Sequence, residues 1–349
     1  MKRIKIGKRI IGEGRAAFII AEAGVNHNGS LGLAKRLVKI AALAGADAVK
    51  FQTFKTDELV TQYAAYAKYQ KRITSLRASQ YEMLKSLELS HKTFQKLSEY
   101  SKQAGIMFLS TPFDFESADF LEQLGVPAFK LSSSDVTNLP LLEHIAKKHK
   151  PILLSTGMSS MQEIKEAVNV IRFQGNKDII LLQCTSGYPV DPKFVNLRVI
   201  STLKEAFSLP VGFSDHSLST VIPSAAVALG ACVVEKHFTI DRNLPGSDHK
   251  ASLEPDQLRE MIKHIREVET ALGSSIKKIV STELDTRKVA RRSVVARVPM
   301  PKGTLIKGEM LAFKRPGTGL APKYFYKIVD TRAKFNIKKD EQISLEDIR

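Results

Sequence analysis

The sequence has 349 residues, 43% hydrophobic and 26% charged, enough apolar material for a sizeable core, which excludes disorder as the main state. Its net charge of +17 points to anionic partners. Between residues 275 and 349 there are 18 Lys and Arg against 8 Asp and Glu, but no basic block and no zinc-finger, RNP or KH pattern, so nucleic acid is not expected. No apolar run nears the ~20 residues of a membrane span, and residues 12–15 interrupt the basic start before it can read as a secretory signal. The only two cysteines, Cys184 and Cys232, lie in apolar runs without metal-type spacing. The expectation is therefore a cytoplasmic protein with reduced, packed cysteines and no membrane association.

Taken in chain order, IKIGKRIIGEG reads as a hairpin able to plug the bottom of a barrel. Eight short apolar runs follow: FIIAEAG (18–24), DAVKFQ (47–52), IMFLST (106–111), AFKLSS (128–133), PILLST (151–156), DIILLQC (178–184), PVGFSD (210–215) and CVVEKHF (232–238). Each precedes a segment with helical apolar spacing, such as LGLAKRLVKIAALAGA and SMQEIKEAVNVIRF. Continuous apolar strands alternating with helices imply right-handed βαβ units. Eight of them over this length predict a (β/α)8 barrel, an α/β fold. A doubly wound sheet is the alternative, but the glycine-rich dinucleotide fingerprint is absent after the first strand. The stretch from Lys55 to Ser90 is a long insertion after a barrel strand and reads as a lid or binding loop. The repeat ends near residue 275. The expected domains are a barrel over 1–274 with its hairpin, a linker over 275–287, and a small β-rich domain over 288–349.

Polar residues at the C-terminal ends of buried strands need a reason. In order these are Glu22; Lys50 and Gln52; Ser110 and Thr111; Lys130 and Ser133; Ser155; Thr185 and Tyr188; Ser214 and His216; Glu235 and His237. Two lysines among hydroxyls suit a phosphate and a carboxylate. His216 and His237 end adjacent strands, where two imidazoles can share one divalent ion such as Mn²⁺ or Co²⁺ with positions left for substrate. Asp215 and Glu235 are candidates for supporting or acid/base duty. Among the other histidines, His27 falls in the first rim loop.

The segments IAEAGVNHNGSL, AVKFQTF, FLSTPFD, FKLSSSD, ILLSTGM, QCTSGYP, GFSDH, VVEKHFT and LPGSDHKASLEP resemble, in order, the sialic acid synthase family. KRPGTGL resembles that family's C-terminal antifreeze-like (SAF, β-clip) domain. The resemblance implies a TIM barrel followed by that domain. It also implies condensation of phosphoenolpyruvate with an N-acetylated hexosamine, releasing phosphate and using Mn²⁺, or else Mg²⁺ or Co²⁺. On this resemblance His216 and His237 are metal ligands. Lys50, Thr111, Lys130, Ser133, Ser155, Ser186 and Ser214 hold phosphoenolpyruvate, Ser186 standing where bacterial N-acetylneuraminate synthases have Asn. Glu22, Gln52, Tyr188 and Asp248 fall on sugar-binding positions. Arg315 matches an arginine that reaches the N-acetyl group from the partner subunit, implying a domain-swapped homodimer. Glu22 and Lys50 orient the reacting carbonyl. Asp135 falls where many relatives carry a Glu that steers water or the collapse of the intermediate, this chain reading Ser-Ser-Asp for Ser-Gly-Glu.

The leading expectation is N-acetylmannosamine as acceptor, giving N-acetylneuraminate. The alternative is a 2,4-diacetamido-6-deoxy hexose, giving legionaminate or pseudaminate. An aldol synthase for a phosphorylated sugar would need further basic residues at the rim. A non-catalytic polyanion- or polysaccharide-binding protein would have no use for both histidines, both lysines and Glu22.

Overall fold

The apolar runs are strands, and their parity decides which side chains meet. The structure, a computed structural model, describes residues 2–64 and 79–349, and these divide into two compact units, one ending at Gly273 and the other beginning at Ser274. The first unit opens with an antiparallel hairpin of β1 (Ile4–Ile6) and β2 (Arg9–Ile11). Then come β3 (Phe18–Gly24), β4 (Ala48–Thr53), β5 (Met107–Pro112), β6 (Phe129–Leu131), β7 (Ile152–Ser155), β8 (Ile179–Cys184), β9 (Val211–Asp215) and β10 (Val233–His237). These eight form one sheet in the order β5-β4-β3-β10-β9-β8-β7-β6, every paired neighbour parallel. The last strand thus lies beside the first, and β5 and β6 pack against each other, so the sheet curls into the expected barrel.

Among the described residues the helices of this unit are α1 (Leu31–Ala44), α2 (Thr56–Leu59), α3 (Gln80–Leu87), α4 (His91–Gln103), α5 (Phe115–Gln123), α6 (Leu139–Ala146), α7 (Met161–Phe173), α8 (Val199–Phe207), α9 (Ile222–Ala228) and α10 (Pro255–Leu272). Local chemistry starts several of them: the side chains of Ser30, Ser90, Asp114 and Ser160 accept a backbone N–H from the first turns of α1, α4, α5 and α7.

Alternate residues of each strand join different cores. Ile19, Ala21, Val49, Phe51, Ile152, Leu154, Leu181, Phe213 and Val234 pack outward with the helices. Phe18, Ile20, Ala48, Leu109, Ala128, Leu153, Ile180, Leu182 and Val233 fill the lower barrel interior. Ile4, Ile6 and Ile11 of the hairpin join this inner cluster, fully buried, so the hairpin does plug the barrel. At Gly212 the interior is so tight that a Cβ would stand 2.6 Å from Leu182 Cδ2 and 2.7 Å from the Val233 carbonyl oxygen.

Both ends of the insertion after β4 are anchored at the barrel mouth. The Glu88 carboxylate accepts from the Thr56 backbone N–H (3.0 Å) and hydroxyl (2.9 Å), and Leu87 packs with Val25 and Phe54. Residues 65–78, the middle of the expected lid, lie outside the described residues.

The second unit begins with a stretch expected to be a plain linker. It carries a turn at Ser281–Glu283 and a short helix, α11 (Leu284–Ala290). β11 (Ser293–Ala296) and β12 (Leu311–Lys314) then pair antiparallel over a small core of Val294, Ala296, Met300, Ile306, Ile328 and Ile337.

Candidate active site

Above the inner apolar layer, the inward positions of the same strands turn polar. In parallel ladders register partners project from the same face, and Glu22 registers with both Lys50 and His237, while Glu235 registers with Ser214. These residues border a cavity of about 270 Å³ at the C-terminal ends of the strands. It is lined by Lys50, Thr111, Lys130, Ser133, Ser155, Ser186 and Ser214 of the expected phosphoenolpyruvate set, and by Glu22, Gln52, Tyr188, Glu235, His216 and His237. Eight strands therefore bring together thirteen of the expected residues.

The floor is a network of charge. Lys50 Nζ lies 2.8 Å from Glu22 Oε2, 3.7 Å from Glu235 Oε2, and donates to Thr111 Oγ1 at 3.0 Å. Lys130 Nζ lies 3.5 Å from Glu235 Oε1 and donates to the Leu131 carbonyl at 2.9 Å. Ser214 Oγ donates to Glu235 Oε1 at 2.9 Å, and Gln52 Nε2 donates to Glu22 Oε1 at 3.3 Å.

Burial pushes the Glu22 carboxyl up to about 7, Lys50 offsetting only part of that cost. Burial acts on Glu235 in the same sense, but there the ammoniums of Lys130 and Lys50 outweigh it and hold the carboxyl down at about 2. Burial lowers the Lys130 ammonium, incompletely compensated by Glu235, whereas Glu22 and Glu235 together keep Lys50 raised against burial. Ser155 Oγ, buried on the wall, has no hydrogen-bond partner among the described residues, as suits a hydroxyl that meets a ligand.

The two histidines stand nearer the mouth, one inward position further along β10 and just past the end of β9. Their ring centroids are 5.4 Å apart. His216 Nδ1 donates to the Thr185 carbonyl (2.9 Å), which leaves the Nε2 lone pair free. Among the described residues His237 Nδ1 is buried without a hydrogen-bond partner, 3.9 Å from Asp248 Oδ2, and burial holds its imidazole neutral, well below the ordinary range. Two imidazoles on adjacent strands, one held neutral with an orphaned buried nitrogen, fit a divalent cation. Among the described residues no group of three or more His, Cys, Asp or Glu side chains is arranged to hold a metal, so water or substrate would complete the coordination. The Tyr188 ring lies over His216, centroids 4.2 Å apart.

Three expectations are placed differently. Asp135 does not line the cavity: it is buried in the 3-10 turn Ser133–Asp135 behind the wall made by Ser132–Ser134, where burial raises its carboxyl to about 6. Asp215, a candidate for supporting or acid/base duty, points outward because it is one residue out of phase with Ser214 and His216, and it pairs with Lys236 on the helix side of the sheet, where only the supporting duty is open to it. Asp248 is held by the Ser247 hydroxyl (2.8 Å) beside His237, and does not line the cavity. Arg315 belongs to the second unit, where it is exposed just after β12.

The sequence analysis does not single out Phe113, Ser132, Ser134, Met158 and Cys184, which also line the cavity. Cys184, expected only to pack, has its Sγ 3.8 Å from His216 Nδ1. Its place at the inward end of β8, in phase with Ile180 and Leu182, was the available signal. A larger cavity of about 430 Å³, bordered by residues 12–16, Lys204, Cys232 and Glu269, brings no comparable set together.

A barrel with charged and hydroxylic strand ends is matched by known proteins over nearly its whole length. The NeuB family model matches residues 37–277, and the SAF domain model residues 291–349. The N,N'-diacetyllegionaminic acid synthase of Legionella pneumophila is 48% identical over 330 residues, covering 93% of this chain and 93% of that protein. The human N-acetylneuraminate-9-phosphate synthase is 38% identical over 337 residues, covering 96% and 93%. Among solved structures, the N-acetylneuraminic acid synthetase of Leptospira borgpetersenii, in complex with citrate, superposes with a TM-score of 0.71 at 35% identity, covering 82% of this chain and 95% of that one. The protein is thus a synthase-type barrel enzyme. The chain belongs to the NeuB family and ends in a SAF domain.

Proposed function

We propose that the protein condenses phosphoenolpyruvate with an acetamido hexose to form a nonulosonic acid and phosphate. The carrying observation is the floor of the cavity, where Lys50 and Lys130 stand over the ionised Glu235 with Thr111, Ser155 and Ser214 around them. Two ammoniums and several hydroxyls suit a ligand that presents a phosphate and a carboxylate together. A bound divalent ion at His216 and His237 would polarise the acceptor's carbonyl oxygen.

The protein's own groups then have definite tasks. Lys50 and Lys130 hold the anionic ends of phosphoenolpyruvate and fix the face its carbon 3 presents. As carbon 3 bonds to the acceptor carbonyl carbon, Glu22, raised to about 7, is able to deliver a proton to the oxygen that becomes a hydroxyl. Lys50, 2.8 Å from Glu22, stabilises the carboxylate left behind. Water adds at carbon 2, and the tetrahedral product expels phosphate by C–O cleavage.

For the acceptor, we favour a 2,4-diacetamido hexose over the N-acetylmannosamine that led the sequence reading. The higher identity to the Legionella N,N'-diacetyllegionaminic acid synthase than to the human N-acetylneuraminate-9-phosphate synthase supports this order. The test is phosphate release from phosphoenolpyruvate and Mn²⁺ with the two sugars side by side. Preference for the diacetamido sugar is expected. Preference for N-acetylmannosamine would overturn the acceptor assignment, and silence with every acetamido sugar would overturn the condensation itself.

A further inference from the structure

On the outer side of the sheet, directly behind the two histidines, lies a charge that the proposed chemistry does not use. Lys236 stands between Glu235 and His237 on β10, its side chain fully buried and turned away from the cavity. Its ammonium has three protons and three close acceptors: Asp215 Oδ2 at 2.5 Å, the Ser217 carbonyl at 2.5 Å and the Ser219 carbonyl at 3.2 Å. Asp215 is itself tied to the same loop, accepting from the Ser217 N–H at 2.8 Å and hydroxyl at 3.0 Å. The five residues from 215 to 219 are therefore wrapped around one cation anchored on β10, and His216 is the second of them.

We propose that Lys236 is a positioning residue for the histidine pair: its ammonium binds the loop that carries His216 to the strand that carries His237, and so sets the span between the two imidazoles. On the cavity side, His216 is held at Nδ1 by the Thr185 carbonyl, and its own carbonyl accepts from the Val190 N–H at 3.0 Å. Those contacts fix the ring relative to β8. Relative to β10, where its partner stands, the strand ladder holds the chain as far as Asp215, and beyond that point the Lys236 cluster ties the loop that carries the ring. An apolar residue at 236 would fill the same space but leave Ser217 and Ser219 carbonyls and the Asp215 carboxylate without their donor, and the loop would move to find others. The proposal rests on the reading of His216 and His237 as cation ligands.

The experiment measures Mn²⁺ binding by electron paramagnetic resonance and phosphoenolpyruvate binding by calorimetry, on the full chain. Wild type and His216→Ala test the underlying reading; if wild type binds no Mn²⁺, that reading falls and the clamp falls with it. The clamp itself is tested with Asp215→Asn combined with Lys236→Met, which removes both charges and leaves neither buried alone. The expected result is a folded protein with phosphoenolpyruvate affinity near that of wild type and a Mn²⁺ Kd weakened about 10–100-fold, as for the loss of groups that orient metal ligands. Wild-type Mn²⁺ affinity in that variant, or equal loss for both ligands, would overturn the proposal. Should the double variant not fold, Lys236→Arg decides. It keeps the charge but replaces a compact ammonium by a planar fork. A Mn²⁺ Kd weakened with phosphoenolpyruvate binding kept supports the clamp, and an unchanged Kd overturns it.

Discussion

Glu22 and Glu235 share the ammonium of Lys50, at 2.8 and 3.7 Å, yet are driven to opposite protonation behaviour, one carboxyl raised to about 7 and the other held at about 2. The difference lies in Lys130, which faces Glu235 as well. Such a divided pair separates a proton carrier from a fixed anion. Replacing Glu22 by Gln should therefore lower kcat by about 10²–10⁴-fold, with the KM for phosphoenolpyruvate little changed, because Glu235 still organises the lysines. Steady-state kinetics check this, and a wild-type kcat would remove Glu22 from proton delivery.

His237→Ala should abolish turnover while leaving the fold intact, since the ring faces the cavity and its Nδ1 makes no hydrogen bond that the barrel would lose. Phosphate release and Mn²⁺ binding measured together on that variant check the expectation. Full activity would remove the histidine pair from the reaction.

Gly212→Ala should cost stability without touching the site's polar groups. The added methyl meets the Val233 backbone carbonyl at 2.7 Å, and backbone in a barrel strand cannot swing aside as a side chain can. Overpacking of this kind costs about 1–3 kcal/mol. Urea denaturation provides the measurement, and an unchanged midpoint with unchanged slope would contradict it.

The acid side of the stability curve should carry the signature of two buried histidines. Burial holds His27 and His249 near 4, against an ordinary value of 6.5. Between those values the unfolded chain binds protons that the folded chain refuses, so stability falls as pH drops from about 6.5 to 4 and levels off below. For His27 the span corresponds to at most ~3 kcal/mol. His27→Gln retains a side-chain acceptor for the Gly29 N–H that His27 Nδ1 now receives at 3.0 Å. The stability advantage of wild type over this variant should shrink across that pH window, other titrations being common to both. A constant difference would show that His27 does not resist protonation.

Much of this was readable from residue order. Strands such as Phe18–Gly24 and Ile179–Cys184 coincide with apolar runs because a strand covered on both faces has no polar alternation to hide it. The convergence of Glu22, Lys50, Lys130, Ser214 and His237 followed from their shared position at strand ends. What the list of strand ends does not carry is phase. Asp215 sits beside Ser214 and His216 in sequence, but a period of two sends it to the other face, where it meets Lys236, a residue to which the sequence analysis gave no role. Counting inward positions from Gly212 and Val233 would have separated the two sets. Asp135 was misplaced for another reason: it follows β6 in a 3-10 turn, whose geometry strand periodicity does not describe.

The isoleucine plug has a kinetic corollary. With Ile4, Ile6 and Ile11 filling the lower barrel, the cavity is closed from below. Lys50, Ser214 and Glu235 stand lower in it than Gln52, His216 and His237, which come two residues later along their chain segments. Whatever occupies the lysines must arrive before, and depart after, whatever occupies the histidines. On the proposed condensation, traffic through the enzyme is then a stack, first in and last out, and product inhibition patterns should show phosphate leaving from beneath.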